Sequence, residues 1–325
     1  MRTRTLGRTG LSVSVLGLGC GAVGGLMVRG SPADRERVVA RALEEGVTYF
    51  DTAPQYGDGQ SEINLGRVLA ALRPAIVLGT KVRLKAEDKA GIAAAVAAAM
   101  EASLTRLGRD HVDLYQLHNA ITAEGAGPDL TPRQVLEEVA PAFEALRRQG
   151  KTRFIGITAV GETDALHQVA LSGAFHTAQV SHNLLNPSVA GALPAGLPGQ
   201  DYRDLLGAMR RTGMGAIGIR ALAGGALSGS AARHPIASPP PEPIGSAPDY
   251  GADLANAARF QVLVREGYAA TLAEAAMRFA AGNPAIATTL IGIATIEEFD
   301  AAAAAVAKGD LPDAALARVR EIWAG

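Results

Sequence analysis

The sequence predicts a (β/α)₈ barrel: a closed parallel sheet with helices outside and long loops at the carboxyl ends of the strands. Three observations lead there. Strand-like and helix-like runs alternate along nearly the whole chain, and eight such units recur, roughly thirty to forty residues apart with a longer gap before the last. Ionisable side chains also fall at the carboxyl ends of successive strands, the face on which such barrels keep their sites. The other α/β arrangement, an open doubly wound sheet, ordinarily uses fewer strands.

A hairpin comes first, residues 3–6 and 11–15 around Gly7 and Gly10. Residues 13–19 then read as the first barrel strand, followed by 47–51, 76–81, 112–118, 153–158, 177–181, 215–219 and 287–291, short apolar runs of the kind buried on both faces. Alanine-rich segments favouring helix lie between them, at 33–45, 61–72, 89–107, 132–149, 163–171, 202–211 and 272–281, with another at 296–307. A terminal helix carries Trp323 as a packing residue. Two connections, 183–199 and 223–251, exceed the usual loop length, and the second holds Pro239, Pro240, Pro241 and Pro243. Long loops in a compact fold are commonly functional, and both would emerge over the site face. The whole of 1–325 is therefore expected to form one barrel domain.

Composition narrows the partners. The chain has 31 Lys and Arg against 32 Asp and Glu, a formal charge of −1, which gives no electrostatic case for nucleic acid and points to small molecules. Cys20 is the only cysteine, so no intrachain disulfide and no thiolate-rich metal site can form, and a reducing, cytoplasmic setting is expected. Residues 11–28 carry no charge and follow Arg2, Arg4 and Arg8, superficially like a leader or a membrane span. Five glycines between Gly17 and Gly25 and the alternation of Leu11, Val13 and Val15 with Ser12 and Ser14 favour strand and loop instead, and no membrane association is expected. Oligomeric state is not legible.

Gly19-Cys-Gly-Ala-Val-Gly24 satisfies the G-x-G-x-x-G dinucleotide pattern after a predicted strand. A working fingerprint needs its last glycine to open a helix and an acidic residue about twenty positions on, at the end of a second strand. Here residues 24–30 read as loop until Ser31-Pro32, a helix start. The glycines are more simply places where backbone, cofactor or substrate approaches closely.

Four side chains carry chemistry. Asp51 ends the second strand, with Tyr56 in the loop after it; Lys81 ends the third and His118 the fourth. Parallel neighbours in a barrel open onto one face, so these residues can meet in one pocket. The combination suits proton transfer to a carbonyl oxygen. A free tyrosine ionises near pH ~10, and a neighbouring ammonium favours the tyrosinate. Asp51 can keep a buried Lys81 charged, and His118 can donate a hydrogen bond to the carbonyl. None of the four gives up hydride readily, which implies a nicotinamide cofactor.

Glu45-Gly-Val-Thr-Tyr-Phe-Asp-Thr-Ala-Pro-Gln-Tyr-Gly57, with Ser61-Glu62 and Leu65-Gly66 after it, resembles the first signature of the aldo-keto reductase family. Ser103-Leu-Thr-Arg-Leu-Gly108 leading to Val112-Asp-Leu-Tyr-Gln-Leu-His118, and Gly150-Lys-Thr-Arg-Phe-Ile-Gly-Ile-Thr158, extend the likeness over nearly the whole chain. The resemblance implies a (β/α)₈ barrel, NAD(P)(H) bound across the carboxyl-end face, and reversible reduction of a carbonyl or sugar-like substrate. It puts Tyr56 as general acid or base, Lys81 and Asp51 as its tuning pair, and His118 as the carbonyl-orienting donor. The cofactor set it implies is Cys20, Gly21, Asp51, Thr158, Gln179, Arg220, Leu222, Gly292, Thr295 and Glu298, with Thr158 and Gln179 at the nicotinamide carboxamide. Ala159 replaces the usual asparagine, Ile219 the usual stacking aromatic, and Arg220 the usual serine, where it is placed to reach the pyrophosphate. Glu298 falls where NADP-preferring members have arginine. A carboxylate there repels a 2′-phosphate and accepts from a 2′-hydroxyl, favouring NAD(H), although first-turn acids also simply complement a helix dipole.

Two other functions are compatible with a barrel. One is a cofactor-binding regulatory protein with negligible catalysis, against which the intact four-residue group argues. The other is a phosphate-sugar isomerase, which needs a Gly-rich phosphate loop for which Ala223-Gly-Gly225 is a weak match.

Overall fold

The computed structural model describes residues 1–324. Two short strands, β1 (Thr3–Thr5) and β2 (Ser12–Ser14), pair antiparallel outside the main sheet. Then come β3 (Leu16–Gly19), β4 (Tyr49–Asp51), β5 (Val77–Val82), β6 (Val112–Leu117), β7 (Thr152–Thr158), β8 (Thr177–Ser181), β9 (Gly215–Ile219) and β10 (Ile286–Gly292). These eight run parallel in sequence order, and β10 closes the barrel by pairing with both β9 and β3. The expected architecture is present with its hairpin.

The first barrel strand is shorter than its sequence pattern, Leu16–Gly19 rather than 13–19, because Ser12–Ser14 belong to the hairpin. The alternation that marks residues 11–15 as strand serves a different surface. Leu6, Leu11 and Val13 are buried with Tyr49, Val77, Leu114 and Ile217, so the hairpin plugs the amino end of the barrel. Site chemistry is thereby confined to the carboxyl end.

Capping chemistry explains several helix starts. Ser31 accepts from the Asp34 amide to begin Pro32–Glu44, and Thr271 and Thr295 do the same for Leu272–Gly282 and Ile296–Ala307. The helix expected over 202–211 begins at Leu205, because Arg203 and Asp204 take left-handed backbone and the Asp204 carboxylate accepts from Gly207 N. Within residues 132–148 the helix widens to a π turn at Val135–Val139, one residue short of Pro141, which has no N–H to give and crowds the preceding turn. The stretch Glu87–Leu107 is long and apolar enough by composition to cross a membrane. It lies instead along the barrel, burying Ile92, Val96, Met100 and Leu104 at four-residue spacing.

Sequence reasoning missed three α-helical segments. Leu26–Arg29 forms one turn where a loop is expected, and Tyr250–Ala258 with Val262–Arg265 structures the run after the second long loop. Asp249, whose carboxylate accepts from Ala252 N, was the available signal for the latter. The two long loops are also tied together. Asn186 Nδ2 donates to Gln200 O and Gly245 O at 2.8 and 2.6 Å, and Trp323 Nε1 donates to Leu184 O, docking the last helix beneath the first loop.

The dinucleotide-like glycines have a packing explanation. A Cβ on Gly24 would lie 2.1 Å from Ile293 N, so the backbone after β3 can rest against the backbone after β10 only without a side chain. The run sits in a closed barrel rather than a doubly wound sheet.

Candidate active site

Strand register assembles the site. Asp51, the last residue of β4, stands opposite Gly79, and Lys81 of β5 stands opposite Gln116 of β6. A Cβ on Gly79 would meet Tyr49 Oη at 2.8 Å and Asp51 Oδ2 at 3.2 Å, so glycine there opens the space that both polar groups occupy. Asp51 is 2 % exposed and Lys81 fully buried. Lys81 Nζ donates to Asp51 Oδ1, to Thr52 O at 2.9 Å and to Tyr56 Oη at 3.3 Å. The second carboxylate oxygen accepts from Gln179 Nε2 at 2.7 Å and from Gln116 Nε2 and Tyr49 Oη, each at 3.2 Å. A buried charge is tolerable when paired and fully hydrogen-bonded, and Asp51 meets both conditions.

Electrostatics follows from burial and pairing. Burial alone would strip the proton from Lys81, but Asp51 and Tyr56 together raise its pKa, so the ammonium persists at neutral pH. Burial also raises the Tyr56 pKa, against the pull of Lys81, and the phenol stays protonated. The His118 ring meets the Tyr56 ring edge-on, centroids 5.9 Å apart. Burial, with the charges of Lys81 and Arg83, pushes the His118 pKa down to about 3, so the imidazole is neutral. Its Nδ1 lies 3.3 Å from Gln55 Oε1.

The Ser61-Glu62 part of the signature is structural. Ser61 Oγ donates to Cys20 O, and the buried Glu62 carboxylate takes Thr80 Oγ1 and Arg106 Nε, each at 2.6 Å. These bonds clamp the helix Gln60–Leu72 to the barrel and so fix the Tyr56 loop just before it.

A cavity of about 800 Å³ runs from Tyr56, Gln55 and His118 across the strand ends to Gly292 and Glu298. Asp51, Thr158, Gln179, Arg220, Leu222 and Gly21 also reach its wall, as does Ile219. Lys81, Cys20 and Thr295 are not part of that wall. Cys20 is buried, its thiol pKa pushed up by that burial, and only its backbone engages the site, donating to Asp51 O at 2.8 Å. Thr295 is a helix cap, accepting from Glu298 N. Glu298 both faces the cavity and accepts from Ala294 N at 2.6 Å through Oε2, so it braces the helix start. Thr158 Oγ1 is buried without a partner, and Arg220, on left-handed backbone, is partly desolvated at the wall. Sequence reasoning missed Tyr49, Gln116, Gln55 and Arg83. For Gln116 and Arg83 the signal was strand alternation, which places each on the side of the sheet that faces the barrel axis.

A closed barrel with Tyr56, Lys81, Asp51 and a neutral histidine gathered at the mouth of one long cleft defines a class: an α/β barrel whose candidate site lies at the carboxyl end of its sheet. The chain belongs to the aldo/keto reductase family, whose family model matches residues 15–324. It is 29% identical over 309 residues to L-galactose dehydrogenase of Arabidopsis thaliana, covering 93% of this chain and 87% of that protein. An NADH-specific methylglyoxal reductase of Escherichia coli is 28% identical over 59% of this chain and 62% of its own length. Among solved structures, the holo form of an aldo-keto reductase from Bacillus halodurans superposes with TM-score 0.72 at 25% identity, covering 99% of this chain and 96% of that one.

Proposed function

We propose that this chain is an NAD(P)-dependent oxidoreductase that interconverts a small carbonyl compound, sugar-like or simple, and the corresponding alcohol. The observation that carries the reading is the Tyr56 hydroxyl on the cavity wall, with the Lys81 ammonium and the Asp51 carboxylate packed directly behind it. A phenol held protonated by burial is an acid ready for a carbonyl oxygen. The ammonium beside it stabilises the tyrosinate left after transfer. In the oxidation direction the same tyrosinate takes the proton back. Lys81 and Asp51 act through Tyr56 and hold its charge balance.

His118 orients the carbonyl. A neutral ring has one N–H, and donation from Nε2 requires Nδ1 to be an acceptor. Gln55 at Nδ1 meets that requirement when its amide turns the NH₂ group toward the ring.

The residues fit a nicotinamide dinucleotide. The unpartnered, buried Thr158 Oγ1 and the Gln179 amide suit a carboxamide, and Arg220 suits a phosphate. When bound, the cofactor supplies the hydride. Glu298 at the far end of the cavity disfavours a 2′-phosphate, so we expect higher kcat/KM with NADH than with NADPH. Glu298→Arg should move that ratio toward NADPH by about tenfold, equivalent to roughly 1.4 kcal/mol. Parallel assays with both cofactors check this. A wild-type ratio strongly favouring NADPH and insensitive to Glu298→Arg would show that residue 298 does not meet the adenosine ribose. Steady oxidation of NADH or NADPH on adding simple aldehydes tests the reading as a whole; binding of either cofactor without turnover would contradict it.

A further inference from the structure

We propose that the substrate carries an anionic group, a carboxylate or a phosphate, and that Arg83 is the residue that selects it. The inference rests on the reading of this cavity as a carbonyl site and adds what the substrate must bring to it.

Alternation along β5 sets the direction of Arg83. Thr80 points out of the barrel to Glu62, Lys81 points in to Asp51, and Val82 points out again into the helical layer, where it is buried. The next residue, Arg83, returns to the inner side at the barrel mouth, where it lines the cavity. Register fixes its neighbour. Val82 pairs with Leu117, and His118 N donates to Val82 O at 2.7 Å, so Arg83 and His118 stand beside one another at the ends of adjacent strands.

Most of the other charges around the cavity are engaged within the protein. Lys308 pairs with Glu274 at 2.7 Å. Arg233 donates to Gly224 O, Ala237 O and Tyr250 Oη, and Asp51 holds Lys81. Glu298 is bonded to the backbone at its helix start, far along the cleft. Arg220, after β9, also makes no ion pair among the described residues, but it is half-buried, its field falls on Tyr56 and Asp253, and it is the guanidinium assigned above to the cofactor phosphates. Arg83 is exposed, makes no ion pair among the described residues, and sits at the carbonyl end. An unneutralised guanidinium beside the reacting position attracts a substrate that brings a negative charge, because its planar fork pairs two oxygens at once. The field of Arg83 already reaches His118, where it disfavours the imidazolium, so its charge is felt at the chemistry itself.

The test compares two matched pairs, 4-oxobutanoate with butanal and glyceraldehyde 3-phosphate with glyceraldehyde, in the wild type, Arg83→Gln and Arg83→Glu. The readout is the ratio of kcat/KM for the charged over the neutral member at low ionic strength. The wild type should favour the charged member of at least one pair, and which pair it is separates carboxylate from phosphate recognition. That ratio should fall about tenfold in Arg83→Gln and further in Arg83→Glu, within the range of exposed ion pairs and charge-assisted hydrogen bonds. Ratios below one in the wild type for both pairs, or ratios indifferent to both substitutions, would overturn the proposal while leaving the oxidoreductase reading intact. If no compound is reduced, that reading fails instead, and calorimetric titration of the NAD-saturated protein with pentanoate and 1-pentanol still decides. Preferential binding of pentanoate, or of pentyl phosphate titrated in parallel, that is lost in Arg83→Gln supports an anion-selecting Arg83, and binding of both anions no tighter than 1-pentanol, or unchanged by the substitution, refutes it.

Discussion

Tyr56→Phe should lower kcat for aldehyde reduction by about 10²- to 10⁴-fold, the usual consequence of deleting a general acid. The substitution removes one oxygen and keeps the ring, so the edge-on contact with His118 is retained. Lys81 Nζ loses one of three acceptors but keeps Asp51 Oδ1 and Thr52 O, so the cluster beneath should stay folded. Affinity for NADH, followed by quenching of protein fluorescence, should stay within a few fold, because the hydroxyl contributes a proton to the reaction rather than a bond to the dinucleotide. Separating the two readouts is the point of the variant. Turnover close to that of the wild type would remove Tyr56 from its role, and a parallel collapse of cofactor binding would show that the residue acts on structure instead.

Lys81→Met should act on both pH dependence and stability. The ammonium favours the Tyr56 tyrosinate, so its loss raises the pH at which alcohol oxidation, which needs the tyrosinate as base, becomes efficient. The rising limb of the oxidation profile should move to higher pH and kcat should fall at neutral pH. A profile unchanged in position and height would contradict the coupling. The same change leaves the Asp51 carboxylate buried with only neutral donors, and breaking one side of such a pair typically costs about 3–5 kcal/mol. The bonds from Gln179, Gln116 and Tyr49 soften that loss, so the lower end is expected. The folded pKa of Lys81 lies above its ordinary value of 10.5. Its contribution to stability is therefore complete below that value and fades as pH climbs through the raised one, so the Tm deficit of the variant should be largest near neutrality. Adding Asp51→Asn to Lys81→Met should recover much of the stability and none of the activity.

The sequence exposed the barrel because each strand–helix unit repeats one pattern, an apolar run followed by an amphipathic segment, and eight repeats leave few ways to close a sheet. It exposed Asp51, Tyr56, Lys81 and His118 because parallel strands align their carboxyl ends, so position along each strand stands in for position in space. Periodicity did not show the hairpin ending at Ser14, since Val13 alternates in the same way whether it faces the barrel floor or continues into β3. Nor did it show Gln116 reaching Asp51, because that hydrogen bond depends on the relative stagger of strands far apart in sequence, whereas Tyr49, two residues before Asp51 on the same strand, shares its face by simple alternation. Glu298 shows a third limit. Its position at the first turn is legible, but that one oxygen is engaged by Ala294 N while the side chain also faces the cavity requires coordinates.

The most direct test of the site is the fate of a labelled hydrogen. NADH deuterated at its transferable position, incubated with the chain and a simple aldehyde, should yield alcohol carrying deuterium on the carbinol carbon, one equivalent per cofactor oxidised. Tyr56→Phe should slow the appearance of label by the same factor as kcat. Alcohol without label, or cofactor oxidation without alcohol, would contradict the reduction chemistry assigned to this cavity.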